Sequence, residues 1–171
     1  MPSTVPAKLL ILVGTMTDTA TSVARAIEME CADLIGAIEV RMMDGLDPSA
    51  FDQDALYVIC TSTYGSGDVP DNAQAFCASL DAQPRYLGHV RFGVIALGDS
   101  AQYPMTFANG GRRFDERLRD LGAVRVGELC TLDASTETAP EAAGAAWCRD
   151  WLALALAPSE VSWRAEGGGV G

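Results

Sequence analysis

Residues 55–72, "ALYVICTSTYGSGDVPDN", change character at Thr61. The first six are apolar on both faces of an extended chain, which predicts a strand covered on both sides and central in its sheet. The next stretch gathers Ser62, Thr63, Tyr64, Gly65 and Gly67 into one turn. It ends on Asp71 and Gln74, a capping-box-like start for a helix over about 72–80. A buried strand running through a glycine-containing polar loop straight into a helix is one βα unit. The rest of the chain repeats that plan.

On the N-terminal side, "KLLILVG" (8–14) reads as a second buried strand. A helix is predicted over 20–35, with Val23, Ile27, Cys31 and Leu34 on one face. In "AIEVRMM" (37–43), Ile38, Val40 and Met42 alternate with Glu39 and Arg41, the pattern of a half-exposed edge strand. On the C-terminal side, "VRFGVIAL" (90–97) is a strand leading to a helix near 108–121. "AVRVGELC" (123–130) is the last strand, and Thr138 and Glu141 open a final helix that carries Trp147 and Trp151 as core anchors. Strands alternating with helices predict an α/β three-layer sandwich, a five-stranded parallel sheet of order 2-1-3-4-5 covered on both faces. In that order a crevice opens at the C-terminal ends of the first and third strands, where such sheets bind ligands. One domain over 1–157 and a flexible tail over 158–171 are expected.

Composition excludes several classes. The chain has 171 residues, is 49% apolar and carries a net charge of −11. Lys8 is the only lysine. Neither nucleic acid nor an anionic membrane is an expected partner. No apolar run approaches the ~20 residues of a membrane span, and the N-terminus lacks a secretory layout, so a cytoplasmic monomer is expected. Cys31, Cys60, Cys77, Cys130 and Cys148 form no C-x-x-C pair and read as free thiols. With His89 the single histidine, no metal site is expected.

Three loops share the rim: "GTMTDTAT" (14–21), "STYGSGDVPDN" (62–72) and "GDSAQYPMTFAN" (98–109). The first joins a strand to a helix N-terminus, which offers unpaired N–H groups and a positive dipole end. Its Thr15, Thr17, Thr19 and Thr21 either cap the helix or add donors to a phosphate. Neither a Walker loop nor a dinucleotide fingerprint is present, so a mononucleotide is the ligand to expect. Tyr64 and Tyr103 offer two walls for a planar ring, and Gly65 and Gly67 allow close backbone approach. A phosphate-binding turn beside a flat slot describes a flavin mononucleotide (FMN) site.

These segments resemble the FMN-binding segments of flavodoxins, above all "TSTYGSGDVPDNA". They are similar to short flavodoxins of the MioC type and to the FMN domains of diflavin reductases, over about residues 8–156. The resemblance implies a flavodoxin-like fold. It implies phosphate contacts from Thr15, Met16, Thr17, Asp18, Thr19 and Ala20, and ring stacking by Tyr64 and Tyr103. It gives Gly65 a carbonyl able to turn toward flavin N5–H. Ser62, Thr63, Gly67 and Gly98 complete the cofactor-binding set, with Asp99 and Phe107 in support. Asp18 stands where the family usually has glycine, the third loop is one residue longer than the commonest form, and Ala108 replaces a frequent cysteine.

The function this implies is a low-potential one-electron carrier without catalytic residues. It would need an NAD(P)H-dependent flavoprotein reductase and a redox acceptor protein, since the chain has no room for FAD and NADPH domains. The alternative is a small flavin-dependent NAD(P)H:quinone or azo reductase, told apart by NADPH turnover. A flavin-less regulatory module would be colourless. A phosphoryl-accepting receiver is rejected, because Cys60-Thr61 stands where its aspartate would be.

Overall fold

The computed structural model describes residues 8–15, 18–63, 68–103, 105–136 and 139–157. Met16, Thr17, Tyr64, Gly65, Gly67, Thr138 and the tail 158–171 lie outside the described residues.

The order of elements is β1 (Lys8–Gly14), α1 (Thr19–Glu30), β2 (Ala37–Met42), a 3-10 turn (Pro48–Asp52), β3 (Leu56–Thr61) and α2 (Asp71–Ala82). There follow β4 (Arg91–Gly98), α3 (Asn109–Asp120), β5 (Val124–Arg125), β6 (Cys130–Asp133) and α4 (Pro140–Ala155). Every ladder is parallel and the order is β2-β1-β3-β4-β5, with β6 also pairing β4. This is the α/β flavodoxin-like arrangement expected, with β2 at an edge.

Alternate residues of the buried strands feed two cores. Leu10, Leu12, Tyr57, Ile59, Phe92 and Val94 pack with α2 and α3 through Phe76 and Phe114. Leu9, Ile11, Val58, Cys60 and Ile95 pack on the other face with Val23 and Ile27 of α1 and Trp151 and Leu152 of α4. The crossovers after β1 and β3 therefore leave to opposite faces, and the crevice between the two strands follows. Val23 lies so close to Gly144 that a Cβ there would sit 2.4 Å from its Cγ1, which brings α1 and α4 together.

Three elements differ from the sequence reading. The last strand is not continuous. Val126 still donates to Phe92 O, but its own carbonyl accepts from Trp151 Nε1 at 2.9 Å, and Gly127 turns to φ +69°. Four residues, 126–129, then lie opposite two of β4, so the strand resumes as β6. Helix α1 stops at Glu30 rather than 35, its terminal carbonyl held by Arg149 of α4, and Leu34 reaches the same core from the following turn. Helix α2 starts at Asp71 behind Pro70, and Gln74 Nε2 donates to Val69 O (3.3 Å) in place of a capping box.

Trp147 and Trp151 stack at 6.0 Å, and Trp151 is buried, as expected of core anchors. None of the five cysteines is in a disulfide, and Cys31, Cys60 and Cys148 are buried. Burial pushes the Cys60 thiol well above its usual range.

Candidate functional site

Register brings the three loops to one rim. Gly14 pairs with Thr61 and Thr61 with Ala96, so β1, β3 and β4 release their loops at one level. Ser62 N–H donates to Gly14 O at 2.9 Å. Thr63 Oγ1 donates to Leu97 O (2.9 Å) and accepts from Gly110 N–H (3.0 Å), joining the second loop to β4 and α3. Close backbone contact holds this junction, because a Cβ on Gly110 would lie 2.5 Å from Ser62 O.

Among the described residues no side chain caps α1, whose first intrahelical bond is Ser22 N–H to Asp18 O at 2.9 Å. The N–H groups of Thr19, Ala20 and Thr21 are those a helix start leaves without intrahelical partners. Asp18 N–H donates to Thr15 Oγ1 (2.9 Å), which closes the turn and leaves that hydroxyl its own proton to donate. Thr21 Oγ1 is buried without a partner, a second hydroxyl with unspent capacity. The side chain of Ala20 is buried in the core, so only its backbone can serve a ligand. This donor set without a cation, beside an uncapped helix start, fits a phosphate monoester.

Asp18 is exposed, and at φ +69° it is the only non-glycine residue with positive φ among those described. A backbone penalty is thus present, alongside the carboxylate's repulsion of a phosphate. Asp18→Gly should tighten FMN binding about fivefold, from ~1 kcal/mol of repulsion between partly solvated charges. Asp18→Asn, which keeps an αL-tolerant side chain, should recover most of that gain. Fluorescence titration at low and high ionic strength checks both, the gain shrinking as salt screens it.

The third loop is fastened at each end. Tyr103 N–H donates to Asp99 O, and Asp99 Oδ1 accepts from Ala101 N–H, both at 2.9 Å. Asp133, at the end of β6, accepts from Ser100 N–H (2.9 Å), Ser100 Oγ, Ser135 N–H (3.0 Å) and Ser135 Oγ (2.8 Å). The bonds from Ser100, then those from Ser135, hold its carboxyl well below the usual aspartate range. Tyr103 is half-buried, and Phe107 packs partly into the core. Gly98 is required by packing: a Cβ there would fall 1.3 Å from Phe107 O.

Thr15, Asp18, Thr19, Ala20, Ser62, Thr63, Gly98, Asp99, Tyr103 and Phe107 therefore share one rim. Met16, Thr17, Tyr64, Gly65 and Gly67, also expected in the site, lie outside the described residues. Sequence reasoning missed three contributors. Asn72 reaches the first loop, Asp133 anchors the third, and Arg113 of α3 pairs with Asp68 of the second at 3.1 Å. Asn72 stands inside the quoted motif, so its signal was available. Asp133 and Arg113 are brought in only by the fold. His89 is remote from the rim, its Nε2 2.9 Å from Phe51 O beside a depression at the opposite end of the sheet. Among the described residues no cluster could hold a metal ion, and no helix is long and apolar enough to cross a membrane.

The flavodoxin family model matches residues 11–147. Flavodoxin YqcA of Escherichia coli (strain K12) is 42% identical over 106 residues, covering 60% of this chain and 67% of that protein. Flavodoxin YqcA of Pectobacterium carotovorum subsp. carotovorum is 34% identical over 148 residues, covering 86% and 97%. The solved structure of a C101A mutant of flavodoxin from Pseudomonas aeruginosa is similar, with a TM-score of 0.72 and 31% identity over 86% of this chain and 97% of that one. The chain therefore belongs to the flavodoxin family of FMN-binding electron carriers.

Proposed function

We propose that this protein is a monomeric, low-potential one-electron carrier that takes electrons from an NAD(P)H-dependent flavoprotein reductase and gives them to a separate acceptor protein. The observation that carries this reading is the start of α1, closed by Thr15 and joined to the second rim loop by the Ser62 and Asn72 hydrogen bonds. Bound FMN would supply the one-electron chemistry. The protein's part is to bind, orient and shield. The N–H groups of Thr19 and Ala20, with the turn Thr15–Asp18, receive the phosphate. Tyr64 and Tyr103 would form the ring walls, and Gly65 would offer its carbonyl to N5–H, with Ser62, Thr63 and Gly67 in the ring loop.

No basic residue occurs in the three rim loops, whereas Asp18, Asp68, Asp71 and Asp99 do. Partners are therefore expected to present basic faces, with association slowing as salt rises. The test is the flavin itself. Heat-released cofactor should run as FMN on chromatography, and the apoprotein should bind FMN more tightly than riboflavin. Recovery of FAD, or equal affinity for riboflavin, would overturn the reading of the first loop. Sustained NADPH oxidation by the isolated protein would favour a small NAD(P)H:quinone or azo reductase instead.

A further inference from the structure

Asn72 stands in the first turn of α2, at the C-terminal end of the ring loop, yet its side chain works on the other subsite. Its Oδ1 accepts Thr15 N–H at 2.8 Å, and its Nδ2 donates to Val13 O at 3.1 Å. The amide therefore spans the point where β1 becomes the turn, and both of its ends are used.

The consequences run along one chain of bonds. Fixing Thr15 N–H against α2 fixes the residue whose Oγ1 accepts Asp18 N–H (2.9 Å), and Asp18 O accepts the first helical bond of α1. Asn72 thus stands behind the orientation of the N–H groups that α1 presents. Its backbone belongs to the segment that begins at Tyr64, so the same residue sets the separation between the turn after β1 and the ring loop. The junction has no slack: a Cβ on Gly14 would lie 2.5 Å from Thr61 Oγ1 and 3.1 Å from Ala73 Cβ.

We infer that Asn72 is a positioning residue that couples the phosphate turn to the ring loop and thereby sets the preference for FMN over riboflavin. The inference rests on the flavin reading above. Losing one part-buried bond pair should loosen the turn by about tenfold in FMN affinity. A flavin without phosphate makes no use of the turn, so its affinity should change little.

The test compares FMN and riboflavin binding to the full-length apoprotein, wild type and Asn72→Ala, by fluorescence titration. The expected result is a fall of about tenfold in the FMN-to-riboflavin affinity ratio for Asn72→Ala. Asn72→Asp, which can still accept Thr15 N–H, should recover part of it at high salt, where its added charge is screened. A residue that served stability alone would lower both affinities together and leave the ratio unmoved, which would overturn the proposal. A wild type without preference for FMN would instead overturn the phosphate reading itself. Amide hydrogen exchange on the wild-type apoprotein gives a test that needs no variant. Thr15 N–H should be protected without flavin, while Thr19 and Ala20 gain protection only when FMN is added. A rapidly exchanging Thr15 amide would overturn the proposal.

Discussion

Gly98→Ala should cost on the order of 3 kcal/mol of folding stability and at least about tenfold in FMN affinity. The glycine is not needed for an unusual backbone angle, since only Gly45, Gly122 and Gly127 among the described glycines have positive φ. It is needed because the third loop returns across it: the new methyl would fall 1.3 Å from Phe107 O and 2.3 Å from its carbonyl carbon. No rotamer change relieves a clash with backbone, so either β4 or the loop must move. β4 is held by its ladder to β3 and by Ala134 N–H donating to Gly98 O at 2.8 Å. The loop therefore gives way, and with it the segment that carries Tyr103. Gly45→Ala is the control. That glycine has φ +73° with nothing within 4 Å of its would-be Cβ, so only the left-handed backbone penalty of ~1 kcal/mol applies. Urea denaturation of the apoproteins and flavin titration check the pair. Equal losses in the two variants would show that the return of the loop does not constrain the site.

The same contact explains where sequence reasoning reached and where it stopped. Strands such as "LLILV" are buried on both faces, so their residues signal position without any partner being known, and the sheet order follows from the half-exposed pattern of β2. Gly98, by contrast, looks like an ordinary strand end until Phe107 is folded onto it. The break in the last strand had no local mark strong enough to find, because it depends on Trp151 claiming the Val126 carbonyl from a helix 25 residues away. The site divides likewise. The hydroxyls of the first loop were legible, but that Thr15 Oγ1 closes the turn and Thr21 Oγ1 is buried without a partner became visible only with the helix start in place. Leu34 kept its predicted face although α1 ended before it, since hydrophobic periodicity records burial rather than helix length. The carboxylate of Asp133 and the guanidinium of Arg113 reach the rim through topology alone.

That arrival of charge shapes the second prediction. Asp18 and Asp99 stand in the rim loops, and Asp133 beside them is held in its ionised form to well below the usual aspartate range. Arg113, paired with Asp68, is a cation that an ion pair brings to these loops. The rim, with a bound phosphate added, is therefore anionic and opposes any further negative charge. At ~10 Å and an effective dielectric constant of ~40, each carboxylate contributes about 0.8 kcal/mol, or ~35 mV for one electron. The three carboxylates together should lower the potential of the second one-electron step on the order of 100 mV relative to free FMN. The first step, which leaves the ring neutral once a proton is taken up, should move much less. Arg113→Glu removes the cation and adds an anion, so it should lower the second step further by ~50 mV at low salt. At about 0.5 M salt the difference should largely vanish, because both partners of the Arg113–Asp68 pair are well exposed, at 49% and 66%. Potentiometric titration of the two proteins at two ionic strengths measures all of these. A second-step potential at or above that of free FMN, or an Arg113→Glu shift in the opposite direction, would mean that the acidic rim does not set the potential.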